Sequence, residues 1–232
     1  MNRAVQSVIQ RVTQGAGGYI CFSNVHTVVT SHKDGRLRDI TNHSFMSMPD
    51  GKPLSIVAGL SGIKDMSQVA GPDFMLEMLD KHRTLRHFFY GSTEETLELL
   101  TEKLKARFPG LNVAGMFSPP FRALQSHEVN HITATINQAK PDILWVGLGA
   151  PKQEYWMADN WEQLKPAILM GVGAAFDFHA GKVSRAPEWI RKLSIEWLYR
   201  LCQEPRRLWK RYLVTNTLFV YYLLRDAVVG KK

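Results

Sequence analysis

Ile143-Leu-Trp-Val-Gly-Leu-Gly-Ala-Pro-Lys-Gln-Glu154 is the stretch on which the reading of the fold turns. Four consecutive apolar residues suit a strand buried on both faces, and the Gly147-Leu-Gly149 turn hands that strand to a helix. Gly147 and Gly149 let backbone N–H groups approach an anion, with the positive end of the helix dipole behind them. Gln153 falls in the first turn of the helix, within reach of a ligand. A strand-to-helix glycine turn is also an ordinary connection. This one is not the Gly-x-Gly-x-x-Gly dinucleotide fingerprint, because Lys152 stands where the third glycine belongs, and there is no Walker loop.

Outward from this segment, short apolar runs alternate with amphipathic stretches across residues 19–173. Strands are expected near 19–23, 45–48, 86–90, 111–116, 142–147 and 167–171. Helices are expected near 25–38, 52–60, 72–83, 93–107, 125–138 and 152–163. Strands joined by crossover helices imply an α/β fold: a Rossmann-like, mostly parallel sheet flanked by helices, with ligands at the carboxyl ends of the strands. Ser92 followed by Glu95 reads as a capping box, and Pro72-Asp73 as a helix start. After Gly181 the strand pattern stops, and 186–202 and 205–225 read as two helices punctuated by Pro205. The expected organisation is an α/β core over 1–185 and a basic, aromatic, helical C-terminal appendage over 186–232.

With 232 residues, 45% of them apolar, the chain can bury a core without staples. Cys21 and Cys202 lie far apart and match neither a disulfide framework nor a zinc spacing. The amino-terminal residues lack the apolar centre of a secretory signal, so a cytoplasmic location is expected. The longest weakly polar run, Leu213 to Leu224, has 12 residues and includes Thr215, Asn216 and Thr217. A spanning helix needs about 20 apolar residues. The net charge of +8 is localised: from Lys182 onward 12 Lys and Arg face four acids, so the whole excess lies in the last 51 residues. Eight of the 24 aromatic residues are there too, which suits a helical segment lying on anionic lipid. RNA binding asks for similar residues, and a docking helix with its charges in water is the plainer alternative.

Chemistry is expected at the strand ends. The Tyr90-Gly91-Ser92 turn could hold a ribose or phosphate, or simply cap the next helix. Pro49-Asp50-Gly51 is a turn sequence, yet Asp50 follows a strand and should lie beside Ser23-Asn24 at the end of another. A carboxylate there can take a proton from an attacking hydroxyl. Asp177 and His179 reach the same edge, with a structural role as the alternative, and His26 is read with the same reserve. No Asp-x-Asp occurs, so no metal is expected, and a diphosphate would be held by helix N-termini and by cations such as Arg200, Arg206, Arg207, Lys210 and Arg211.

Taken together, several segments resemble the WecG/TagA/CpsF family of bacterial glycosyltransferases. They are Phe22-Ser-Asn-Val-His26, Met48-Pro-Asp-Gly51, Val146-Gly-Leu-Gly-Ala-Pro-Lys-Gln-Glu154, Gly171-Val-Gly-Ala-Ala-Phe-Asp177 and Ala180-Gly-Lys-Val-Ser-Arg-Ala-Pro187. The signature Glu196-Trp-Leu-Tyr-Arg200, Glu204-Pro-Arg-Arg207 and Trp209-Lys-Arg-Tyr212 completes the match, which runs in unbroken order over about residues 19–225. The resemblance implies an inverting, metal-independent hexosyltransferase that takes a sugar from a nucleotide-sugar donor, UDP-N-acetylmannosamine or a relative. A polyprenyl diphosphate-linked saccharide would receive it, in the synthesis of teichoic acid linkage units, enterobacterial common antigen or exopolysaccharide. It implies Asp50 as the general base, with Ser23, Asn24 and Gln153 lining the sugar site. Gly91, Gly147 and Gly149, with Arg200, Arg207 and Arg211, are the further substrate-binding candidates. No cofactor and no nucleic acid are implied. The protein would sit peripherally on the inner face of the cell membrane, its appendage docked on anionic lipid, and associate as a homo-oligomer elsewhere.

Two departures bear on this. Ser23 stands where the family usually has threonine, which keeps the hydroxyl. Gln68, in Gln68-Val-Ala-Gly-Pro-Asp73, stands where the family usually has arginine. Loss of that cation changes which anionic group can be held, and leaves open a different substrate or a catalytically silent nucleotide- and lipid-binding module.

Overall fold

A computed structural model describes the chain except residues 64, 193–194 and 230–232, and describes the backbone alone at 192, 207 and 227–229. Helix α1 (Asn2–Thr13) leads into β1 (Gly18–Ser23), and α2 (Val25–Lys33) and α3 (Gly35–His43) precede β2 (Met46–Pro49). Helices α4 (Lys52–Leu60) and α5 (Gly71–Lys81) precede β3 (His87–Gly91), followed by α6 (Glu94–Arg107) and β4 (Val113–Phe117). Then come α7 (Ser126–Ala139), β5 (Ile143–Gly147), α8 (Lys152–Asn160) and β6 (Ile168–Gly171). The chain continues through α9 (Ala175–His179), α10 (Glu188–Lys192), α11 (Glu196–Gln203) and α12 (Pro205–Val229).

The strands form a six-stranded sheet in the order β2-β1-β6-β5-β3-β4. The pairings of β1 with β6, β6 with β5, β5 with β3, and β3 with β4 are parallel. This is the Rossmann-like α/β architecture that the alternating pattern implies. Successive residues of a strand enter opposite cores: Ile143 and Trp145 join one cluster, Leu144 and Val146 the other. Burial on both faces is why these strands read as continuous apolar runs.

After β3 the chain steps to the edge strand β4, whereas after β5 it steps the other way, to β6. The helices that follow leave on opposite faces. Leu97, Leu100 and Leu104 of α6 pack into one core and Met157 of α8 into the other. Such a reversal parts the loops above the carboxyl ends of two adjacent strands and opens a crevice there.

Three local features differ from the expectation. Helix α1 was not anticipated; it buries Val5 and Val8 and packs Ile9 and Val12 against the core. The helix expected over 25–38 breaks at Asp34, whose extended backbone ends α2 while its Oδ1 accepts from the Leu37 N–H at 3.0 Å to start α3. Ser92 does not cap α6: it adopts a left-handed conformation, φ 57°, and the cap passes to Thr93, whose hydroxyl accepts from the Thr96 N–H at 3.3 Å.

The chain divides into two compact units, one of Met1–Phe22, Ile40–Met48 and Val69–Ser184, the other of Ser23–Asp39, Pro49–Gln68 and Arg185–Lys232. The sheet and both cores belong to the first. In the second, α12 packs along α2 and against α11, with the His32 and Tyr222 rings 3.8 Å apart. The last segment of the second unit begins at Arg185, and that unit also takes in two earlier segments.

Candidate functional site

In the first unit, three glycines expected to bind substrate stand where β3 and β5 end, and they are glycine for different reasons. A Cβ at Gly91 would lie 2.7 Å from the carbonyl carbon and oxygen of Gly147, so the two strand ends touch backbone to backbone. A Cβ at Gly147 would lie 2.5 Å from the Phe176 ring. Packing accounts for Gly147, and at Gly91 a φ of +119° adds to it. Gly149 also has a positive φ, +77°, but nothing lies within 4 Å of its Cβ position. The turn at Gly149 is therefore open where the other two are closed.

Gln153 begins α8 by donating its backbone N–H to the Gly149 carbonyl at 3.0 Å. Its side chain turns inward and is only 3% exposed. Nε2 donates to the Gly171 carbonyl at 2.7 Å and to Glu154 Oε1 at 3.0 Å. Gly171 makes this seat possible, since a Cβ there would meet Met157 Cε at 2.7 Å and Gln153 Nε2 at 3.0 Å. Glu154, which the sequence reading passed over, is wholly buried. Burial raises its carboxyl above the usual carboxylate range, and burial with Glu154 nearby pushes the Cys21 thiol up to about 12. The Cys21 thiol therefore keeps its proton at neutral pH.

His179 is held structurally, its Nε2 donating to the Pro72 carbonyl at 3.1 Å, and Asp177 offers its backbone carbonyl to the N–H groups of Lys182 and Val183.

In the second unit, Asp50 directly follows β2 and has both of its backbone polar groups hydrogen-bonded. Its N–H donates to the Ser23 carbonyl at 2.8 Å, and its carbonyl accepts from Gln68 Nε2 at 2.7 Å. The residue standing in place of the family's arginine is thus engaged with the residue expected to be the base. Asn24 caps α2, its Oδ1 accepting from the Thr27 N–H at 3.2 Å, and lies 3.8 Å from the Cβ position of Gly51. Ser23, Asn24, Asp50 and Gln68 therefore form one local group.

A second group in this unit brings His26 near Arg211. Burial, and then the Arg211 charge, lower the His26 pKa. His26 Nδ1 and Arg211 Nε are both buried without a hydrogen-bond partner, an environment short of acceptors. Arg200 is half-buried on α11, and the Arg207 side chain lies outside the described residues. Among the described residues no cluster of three or more His, Cys, Asp or Glu could hold a metal ion, and no helix is long and apolar enough to cross a membrane.

Fold and site define a doubly wound α/β protein with glycine turns and buried polar side chains at the carboxyl ends of its strands. More particularly, the chain belongs to the glycosyl transferase WecG/TagA/CpsF family, whose sequence profile matches residues 1–232. It is a glycosyltransferase. A protein of Bacillus spizizenii strain W23, named N-acetylglucosaminyldiphosphoundecaprenol N-acetyl-beta-D-mannosaminyltransferase, is 31% identical over 202 residues, 86% of this chain and 76% of the relative. A Bacillus subtilis strain 168 protein of the same name is 31% identical over 205 residues, 87% of this chain and 77% of the relative. One from Staphylococcus aureus strain MW2 is 31% identical over 165 residues, 68% of this chain and 61% of the relative.

Proposed function

We propose that this glycosyltransferase moves a sugar, with inversion, from a nucleotide-sugar to a polyprenyl diphosphate-linked saccharide in bacterial cell-surface polysaccharide synthesis. N-acetylmannosamine is the sugar that the relatives' names favour, and UDP is proposed as its carrier. The observation that carries the reading is the double restraint on Asp50, because a general base must be held in place to within a fraction of an ångström. Asp50 takes the proton of the acceptor hydroxyl as that oxygen bonds to the anomeric carbon. The bond from that carbon to the diphosphate oxygen breaks on the opposite side, and the configuration inverts. The guanidinium groups of Arg200 and Arg211 offset the charge that builds on the diphosphate. The acceptor-poor environment of His26 and Arg211 supports an anion there. No metal is needed in this scheme.

The core over 1–185 supplies the sheet, and the helices beyond it serve as a membrane-docking appendage. In support, the exposed large apolar residues other than Met116 and Phe121 all belong to the second unit, among them Leu60, Trp189, Trp197, Trp209, Leu213 and Tyr221. The enzyme works peripherally at the inner face of the membrane, on anionic lipid, and associates as a homo-oligomer away from it. The test is nucleotide release by purified protein with anionic liposomes bearing a polyprenyl diphosphate sugar, with and without EDTA. Acceptor-dependent release that survives EDTA and is lost in Asp50→Asn is expected. Release unchanged in Asp50→Asn would remove Asp50 as the base.

A further inference from the structure

A primary amide carries two donors on nitrogen and one acceptor oxygen. Both donors of Gln153 are committed, to the Gly171 carbonyl at 2.7 Å and to Glu154 Oε1 at 3.0 Å. Rotating the amide by half a turn would place its oxygen against a carbonyl oxygen, so the orientation is fixed by chemistry. Oε1 is left over. It is buried and has no hydrogen-bond partner, and it faces the glycine turn after β6, 3.5 Å from the Cβ position of Gly173. A side chain that is 3% exposed and holds an unmatched acceptor is set for something the protein does not itself supply.

Glu154 is what keeps it so. It is 0% exposed, no cation pairs with it among the described residues, and its Oε1 takes the second Gln153 proton while Oε2 remains buried without a partner. We infer that Glu154 is a positioning residue that locks the Gln153 carboxamide with its oxygen toward the ligand, so that the substrate presents a hydrogen-bond donor there, a sugar hydroxyl or an acylamino N–H. A phosphate oxygen would face another acceptor at that point, so Gln153 reads the sugar and leaves the diphosphate to other groups. The inference rests on the glycosyltransferase reading proposed above.

The test uses the full chain with Glu154→Leu, Glu154→Gln and Gln153→Met, thermal unfolding being followed for each. Side-chain amide NMR is the first readout. The two Gln153 N–H protons are expected to be inequivalent and protected from exchange in the wild type and in Glu154→Gln, and to lose protection in Glu154→Leu. Kinetics are the second, with UDP-N-acetylmannosamine and with forms in which the acylamino group or one hydroxyl is replaced by hydrogen, and matching forms of the acceptor saccharide. Glu154→Leu raises KM about 10-fold with little change in kcat, and Glu154→Gln recovers most of that loss. One analogue loses about 10-fold on the wild type and nothing further on Gln153→Met. Equal damage from Glu154→Gln and Glu154→Leu at unchanged thermal stability overturns the inference, as do analogues that all lose equally on wild type and Gln153→Met. Absence of transfer by a wild type that shows both protected protons refutes the proposed donor and acceptor while supporting the lock.

Discussion

Replacing Gln68 by glutamate keeps the length of the side chain and removes the donor that meets the Asp50 carbonyl at 2.7 Å. A neutral hydrogen bond of this kind contributes about 1 kcal/mol net, so Gln68→Ala should lower kcat/KM about five-fold if the whole restraint is felt in the transition state. Gln68→Glu does worse at neutral pH, because a carboxylate then faces a carbonyl oxygen. An unmatched group of that sort costs roughly 2–3 kcal/mol, or about 30- to 160-fold in kcat/KM. Gln68→Arg restores a donor and adds charge, and should retain transfer. The assay is acceptor-dependent nucleotide release alongside thermal unfolding, repeated as the pH is lowered, since protonating the introduced glutamate gives back a donor and should recover part of the rate. Wild-type kcat/KM in Gln68→Glu would refute the claim that Gln68 holds Asp50 in place.

Two further outcomes follow from buried groups in the first unit. Gly147→Ala places a Cβ 2.5 Å from the Phe176 ring and should cost about 1–3 kcal/mol, with part regained in the double variant Gly147→Ala/Phe176→Leu; chemical denaturation measures both. His87 is fully buried, and burial lowers its pKa from 6.5 to about 4 while its Nδ1 accepts from Trp145 Nε1 at 3.2 Å. The unfolded chain binds the proton first, so stability present above pH 6.5 is lost as pH falls toward about 4, by about 3 kcal/mol, and then levels off. Urea midpoints across that range should show the loss in the wild type and a smaller one in His87→Gln.

The central strands β1, β3, β5 and β6 were legible because they are buried on both faces and rich in apolar residues, with Ile143–Val146 the clearest. Helix α1 was not, because Arg3, Gln6, Gln10 and Arg11 interrupt the eye while Val5, Val8, Ile9 and Val12 keep the helical spacing. Asp34 looked like helix interior, although an aspartate before a glycine is equally a stop and a start. Around the strand ends, residue type alone could not separate a glycine that admits a ligand from one that admits a neighbour. Gly149 is open, whereas Gly91 and Gly147 press on each other. Gln68 read as the loss of a cation, and the bond that gives it a use reaches 18 residues back along the chain. Glu154 drew no notice, since only the packing around Gly171 shows which way its neighbour Gln153 turns.

The place of β1 in the sheet bears on how the protein comes off the ribosome. Gly18 pairs with Ile168 and Cys21 with Gly171, so a strand made among the first residues gains this central neighbour only after about 150 more have been added. At cellular elongation rates that is a delay on the order of ten seconds. Throughout it, Ile20 and Phe22 lack the β6 side of the core that later covers them. The nascent amino-terminal third is therefore the segment most in need of a chaperone's cover, and slower elongation through its codons would lengthen that exposure.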